Sequence, residues 1–180
     1  MRTTDLYIAG AAVELPGTVE VAGAVAEGLC TVDTQQQTGA VTVCVAGDTP
    51  APELAARAAA RAFERSGLRR EEVSALLYSN TLHQGPDGWS PPHYVLGHSL
   101  GTDVPAIEVR QGCNGLIAGF ELAAGLLAAD PARTAVLVAA GDNFGSPGVD
   151  RWSSAVGCIL GDGAAAAVRA FPQASNGKRC

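Results

Sequence analysis

The segment VRQGCNGLIAGFELAAGLLAAD, residues 109–130, places one cysteine at the start of a nearly uncharged apolar run. A thiol that follows a glycine turn and opens a helix lies where free backbone N–H groups and the helix dipole favour the thiolate. Cys113 is therefore a candidate nucleophile for covalent catalysis. Cysteine is also among the most frequently buried residue types, so position and composition leave a buried core thiol as an equal alternative.

Three histidines lie in or beside the segment TLHQGPDGWSPPHYVLGHSLG, where glycines and prolines predict an irregular loop before a short helix. The spacings between His83, His93 and His98 differ from the three or four residues that place two ligands on one helical face. We therefore predict no metal site. Each histidine is interpreted as a loop or helix-surface residue, with His83 a minor candidate for contacting a bound substrate.

Composition limits the class of protein to which the chain can belong. Its 180 residues are 47% hydrophobic and only 17% charged, which provides for one well-buried α/β domain. A net charge of −6 leaves no basic face for nucleic acid. We find no apolar stretch long and uninterrupted enough for a bilayer, and no signal peptide, so we predict a cytoplasmic protein. The five cysteines lack CxxC spacing and are expected to be free thiols.

Alternating apolar runs and helical patterns predict a sheet with helices on both faces. A helix beginning at a Thr49 cap and ending at Gly67 follows the second strand, and the helix over 113–129 has so little charge that we expect it to be buried all round. One domain over residues 1–170 is predicted, with a frayed tail over 171–180. The predicted strands are 5–13, 40–46, 73–80, 104–110, 134–141 and the glycine-broken run 155–170, and a short helix is predicted over 91–101.

Taken in order, several segments resemble the N-terminal half of a ketoacyl-ACP synthase III in the thiolase superfamily. They are DLYIAGAAVELP, ELAARAAARAFERSGLRREEVSALLYSN, SPPHYVLGHSLG, IEVRQGCNGLIAGFELAAGLL, AVLVAAGD and DRWSSAVGCILGDGAAAAV, and their order matches from about residue 5 to 170. The resemblance implies a thiolase-like α/β fold, here one half of a duplicated mixed sheet. A subgroup from natural-product pathways, which moves acyl groups between carrier proteins or onto other acceptors, is the more specific resemblance.

The resemblance also implies a mechanism, in which the position of Cys113 is the acyl-accepting nucleophile. An acyl-CoA or an acyl-phosphopantetheine carrier protein would be the substrate, no cofactor would be permanently bound, and the backbone N–H of residue 113 would form part of an oxyanion hole. The implied pathways are fatty-acid or polyketide-type biosynthesis. The implied partners are a carrier protein and either a second copy, pairing through VPAIEVR, or a complementing C-terminal half.

Two departures from the family pattern leave alternatives open. Arg110, Gln111 and Asn114 stand where the family usually has small residues, so the substrate or the reaction could differ. The histidine and asparagine of the family belong to the second half of the fold, which this sequence does not match. The chain is thus predicted to be an incomplete acyltransferase, truncated or split before that half. A non-catalytic half-subunit for dimerisation or carrier-protein docking is the alternative.

Two other patterns have a structural explanation. The run ILGDGAAAAV fits a dinucleotide fingerprint, but no capped helix follows it, so we interpret it as a strand in which Gly161 and Gly163 allow close backbone packing. Trp89 and Trp152 could line an acyl channel, although core or interface packing is the better interpretation.

Overall fold

The computed structural model describes residues 6–145 and 149–171, which fold as a mixed five-stranded sheet between two helical layers, with a small lobe attached. The helices are α1 (Val21–Ala26), α2 (Val32–Thr38), α3 (Ala51–Ser66), α4 (Pro91–Ser99) and α5 (Gly115–Ala129). The strands are β1 (Tyr7–Glu14), β2 (Thr18–Glu20), β3 (Thr42–Cys44), β4 (Val73–Ser79), β5 (Ala106–Val109), β6 (Ala135–Asp142) and β7 (Gly163–Ala170).

The order of strands in the main sheet is β1-β7-β6-β4-β5. Strand β4 pairs in parallel with both β5 and β6, whereas β7 is antiparallel to β6 and β1. The carboxyl ends of β4, β5 and β6 consequently meet at one edge of the sheet. Side chains there come from three separate parts of the sequence.

The α3 and α4 side of the sheet is fully covered. Helix α3 places Leu54 and a row of alanines against β1, β6 and β7, and these residues are essentially inaccessible to solvent. Gly10 permits the close approach, because a Cβ there would lie 2.2 Å from the carbonyl oxygen of Ala62. Charged residues of α3 lie on its outer face, where Arg61 and Arg65 donate hydrogen bonds to backbone carbonyls at the free edge of β1.

The α5 side is only partly covered, which corrects the expectation of a helix buried all round. Gly115 and Gly119 bring α5 close to the sheet, and a Cβ at these positions would lie 1.7 Å from Ser79 Oγ and 2.7 Å from Val138 Cγ1. The opposite face of α5 is exposed, with Ile117 62% and Leu122 49% accessible. The prediction was wrong because the hydrophobicity of a helix does not reveal whether the same chain supplies both of its neighbours.

A small lobe lies between β1 and α3, and the sequence analysis missed most of it. Strands β2 and β3 form a two-stranded antiparallel sheet, and α1 and α2 lie between them in the sequence. The predicted strand over 40–46 is thus β3, outside the main sheet. Trp152 packs in the core of the lobe. The buried Arg151 guanidinium donates to both carboxylate oxygens of Asp162, at 2.9 and 3.0 Å, and Asp162 also accepts a hydrogen bond from the N–H of Ala46.

Other boundaries differ from the sequence prediction in informative ways. Pro50, not Thr49, caps α3, and no side chain accepts a hydrogen bond there, whereas the predicted end at Gly67 is confirmed by its left-handed φ of 67°. Strand β7 begins only at Gly163, where a Cβ would lie 3.3 Å from the carbonyl oxygen of Glu14, as expected for close packing. Gly161 has only ordinary contacts.

Strand β1 lies at the sheet edge and buries only Gly10 and Ala12. Apart from Phe171, the predicted frayed tail lies outside the described residues.

Candidate active site

The carboxyl ends of β4 and β5 lie beside the start of α5, directly after the turn that contains Cys113. Ser79, the last residue of β4, is in register with Val109 of β5, and its side chain occupies the space above Gly115. In sheets of this type, ligands bind outside the carboxyl ends of the parallel strands. This edge is therefore the place where the topology favours a reaction site.

Cys113 is exposed and lies in a 3-10 turn, Gly112–Asn114, which leads directly into α5. Gly112 has a φ of 53°, a left-handed conformation that only glycine adopts without strain. The turn reverses the chain between β5 and α5 and leaves the thiol in solvent at the start of the helix. The prediction of a cysteine at a helix N-terminus after a glycine turn is confirmed, and the alternative of a buried core thiol is wrong for this chain by itself.

Two charged side chains flank the loop that follows β4, over residues 80–85. Asp142, at the end of β6, accepts hydrogen bonds from the backbone N–H of Thr81 at 2.9 and 3.0 Å and of Leu82 at 3.1 Å. Arg110, which follows β5, donates to the carbonyl oxygen of Thr81 at 3.5 Å and to Glu108 at 3.2 Å. Burial raises the pKa of Asp142, and the two backbone donors and the positive charge of Arg110 partly offset that rise.

A buried polar group anchors the other end of the same loop. The Tyr78 hydroxyl donates to Oε1 of Gln84 at 2.8 Å, and Nε2 of Gln84 donates to the carbonyl oxygen of Gly141 at 2.8 Å. Burial raises the pKa of Tyr78, so the hydroxyl keeps its proton and acts as a donor. Nδ2 of Asn80 donates to the carbonyl oxygen of Leu82, while its buried Oδ1 has no partner among the described residues.

The residues singled out in the sequence are only partly brought together. His83 lies in the loop over residues 80–85 and borders a cavity of about 270 Å³ at the start of α3. His93 and His98 are exposed on α4, at positions 3 and 8 of a nine-residue helix. Trp152 belongs to the core of the lobe, which confirms core packing for that residue. Trp89 is 38% exposed and contacts the ring of Tyr94, with the ring centroids 5.5 Å apart.

Asp142, Gln84 and Asn80 were not identified from the sequence. Their importance depends on the register between β4 and β6, which places Ser79 beside Ala140 although the two are distant along the chain. The only available signal was polar residues directly after an apolar strand, which most loops share. Chemically, the edge offers one exposed thiol, one cation and one half-buried carboxylate.

Sequence comparison connects this edge with one family. Residues 107–173, which contain Cys113, match the sequence model of 3-Oxoacyl-[acyl-carrier-protein (ACP)] synthase III. The protein "Beta-ketoacyl-[acyl-carrier-protein] synthase III 3" of Streptomyces coelicolor is 32% identical over 117 residues, which are 64% of this chain and 34% of the relative. The chain therefore spans well under two thirds of the relative.

Solved structures agree with the sequence matches. A structure described as "ChlB3 [Aceyltransferase]" superposes with a TM-score of 0.89 at 44% identity, covering 94% of this chain and 51% of that one. In sequence and in fold, the chain is similar to the ketoacyl-ACP synthase III proteins of the thiolase superfamily. The 3-oxoacyl-[acyl-carrier-protein] synthase III of Aquifex aeolicus VF5, at 21% identity, has the same fold with a TM-score of 0.78 and is covered to 54% of its length.

One prediction about the helix that follows Cys113 is wrong. Among the described residues, the segment Gly112–Ala129 is long and apolar enough to cross a membrane, with a mean hydropathy of 1.4, contrary to the sequence analysis. Core helices pass the same test, and the glycine and alanine face of this one packs on β4 and β6. Length and composition therefore do not by themselves show that this helix spans a membrane.

Proposed function

We propose that the chain is the nucleophile-bearing half of a ketoacyl-ACP synthase III-like acyltransferase. Its acyl donor is a thioester of CoA or of the phosphopantetheine arm of a carrier protein, and its pathway is of the fatty-acid or polyketide type. One observation carries the proposal: the exposed Cys113 lies in a glycine turn at the carboxyl edge of the sheet, within the region that matches the family.

The chemistry requires only groups that the turn can supply. The Cys113 thiolate attacks the carbonyl carbon of the donor, the new C–S bond forms, and the C–S bond of the donor breaks to release its thiol, which takes up a proton. One thioester replaces another, so the exchange has little net energy change. A backbone N–H of the turn would stabilise the oxyanion of the tetrahedral intermediate, an effect worth about 3 kcal/mol for one well-placed donor.

The exposed side of α5 supports a second part of the proposal, a cover supplied by a complementing C-terminal half. A groove of about 350 Å³ runs beside α5 and is lined by Ile8, Val13, Leu116 and Phe120. Ile117 and Leu122 extend the apolar surface. Burying such side chains contributes roughly 1.5–3 kcal/mol each, so the surface is suited to a large apolar partner.

A non-catalytic role in dimerisation or carrier-protein docking is the second candidate. It is favoured by the edge strand β5, whose Ile107 is 45% exposed. In this role Cys113 would have no reaction to perform. We place the protein in the cytoplasm in either case.

The test is to incubate the purified chain with acyl-CoA and with acyl-carrier protein, and to follow the intact mass. We expect slow addition of one acyl group, mapped by peptide mass spectrometry to Cys113 and absent in Cys113→Ala. Cys158 is the internal control, because it is also an exposed thiol but lies in another loop. Equal acylation of Cys113 and Cys158 would contradict a nucleophilic role and favour the docking alternative.

A further inference from the structure

We propose that Asp142 is a positioning residue for the Cys113 site, acting through the backbone of Thr81 and the side chain of Arg110. The carboxylate stands at the end of β6, on the central side of β4, and Arg110 stands after β5 on the other side. Both contact Thr81, one at its N–H and one at its carbonyl oxygen. A carboxylate and a guanidinium thus hold one residue from opposite sides.

The contacts explain why this position requires a carboxylate. Both oxygens of Asp142 lie within 3.0 Å of the N–H of Thr81, and one of them also accepts from Leu82. An asparagine has the same shape but turns one of the two acceptors into an NH₂ donor, which would face the N–H of Thr81. Hydrogen bonds to charged acceptors are also stronger than neutral ones.

The chain of contacts ends at a residue three positions before the nucleophile in the sequence. Arg110 precedes Cys113 by three residues, so the two Cα atoms are at most roughly 11 Å apart. The side chain of Arg110 is 49% exposed, and its contacts are Glu108 and the carbonyl oxygen of Thr81. When Thr81 is held in place, it anchors the Arg110 side chain and so restrains the segment that leads into the Cys113 turn. When Thr81 is released, Arg110 loses one of its two anchors.

The rest of the loop is rigid enough for Asp142 to have this effect. Gln84 is only 8% exposed and fixes the far end of the loop to β4 and β6, and Asn80 is 2% exposed and bonds to Leu82. With both ends fixed, the hydrogen bonds from Thr81 and Leu82 to Asp142 restrain the middle of the loop. The acyl-transfer meaning of this assignment rests on the proposed function, but the reactivity of Cys113 can be measured without any acyl donor.

The experiment measures alkylation of the full chain by iodoacetamide near neutral pH, with peptide mass spectrometry giving the Cys113 rate relative to Cys158. We expect Asp142→Asn to lower this ratio roughly threefold to tenfold, in the range of couplings between neighbouring groups. Arg110→Gln is expected to lower it similarly, and the double variant no further than the stronger single one. Asp142→Glu, which keeps the carboxylate, should recover most of the loss.

The matched control is Asp130→Asn in the turn between α5 and β6, because Asp130 also accepts a backbone N–H, from Ala132 at 3.0 Å. It should leave the ratio unchanged. An unchanged ratio in Asp142→Asn, or additive effects of the Asp142 and Arg110 variants, would overturn the proposal. Arg110→Gln, at an exposed site, remains a test if an Asp142 variant fails to fold. If Asp142→Asn loses acylation of Cys113 but keeps its alkylation ratio, the positioning role alone is refuted. If the alkylation ratio changes as predicted but Cys113 accepts no acyl group, only the proposed acyl transfer is refuted.

Discussion

The two faces of the main sheet are covered by helices of nearly equal length and opposite composition. Helix α3 has 16 residues, buries Leu54 and its alanines, and turns Arg and Glu side chains to solvent. Helix α5 has 15 residues with Glu121 as its only charge, yet it buries little beyond glycines and alanines. A helix that is apolar on every face is suited to burial on every face. Among the residues that the structure describes, the α3 side of the sheet is thus covered, whereas the outer face of α5 is left exposed.

Replacing one leucine on each helix tests this contrast with the largest expected effect. Leu54→Ala, at 2% exposure, should lower the free energy of unfolding by about 2–5 kcal/mol, because it leaves a cavity. Leu122→Ala, at 49% exposure, should cost less than about 1 kcal/mol. Urea denaturation measures both. Equal costs would mean that the exposed face of α5 is already covered in solution.

The glycines of α5 provide a second, smaller contrast within one helix. Gly115→Ala should destabilise the chain by roughly 1–3 kcal/mol, because the new methyl group would overlap Ser79. Gly125→Ala meets nothing within 4 Å and should stabilise the helix by up to about 1 kcal/mol. Thermal unfolding of the two variants is the measurement. A stabilising Gly115→Ala would show that α5 does not pack on the sheet at this point.

The two edge strands differ in a way that bears on assembly. Carbonyl oxygens at the β1 edge are bound by Arg61 and Arg65, whereas Ile107 on the β5 edge is exposed. The sequence predicts a dimer that pairs through VPAIEVR, and we expect a dimer or larger species by light scattering. Ile107→Lys should weaken self-association about tenfold, or roughly 1.4 kcal/mol, while Ile8→Lys on β1 should not change it. A folded monomer at micromolar concentration would argue against pairing through β5.

The sequence predicted only part of the fold. Strands β4 and β6 and helix α4 were placed correctly, because their apolar runs are bounded by polar or turn residues. The exposure of α5 and β1 could not be predicted, since an apolar pattern does not specify what covers it. The lobe was missed because α1 and α2 have only six and seven residues and no long period.

The residues of the candidate site were also predicted only in part. Cys113 was identified because glycine, strand and helix signals coincide within a few residues of sequence. The carboxylate of Asp142 and the amide of Gln84 reach the same loop only through the register of β4 with β6, which no local pattern encodes. Contacts that depend on strand register are therefore the part of a site that requires a structure.

The most direct test of the account is the rate of Cys113 acylation with and without a complementing C-terminal half. General acid–base groups contribute roughly a hundred- to ten-thousand-fold in rate, and in the proposed enzyme they belong to that half. We predict slow, single-turnover thioester formation on Cys113 by the chain alone and a large acceleration when the second half is added. Multiple-turnover transfer by the purified 180-residue chain alone, lost in Cys113→Ala, would contradict this account. It would mean that His83 or another residue of this chain supplies the missing proton transfer.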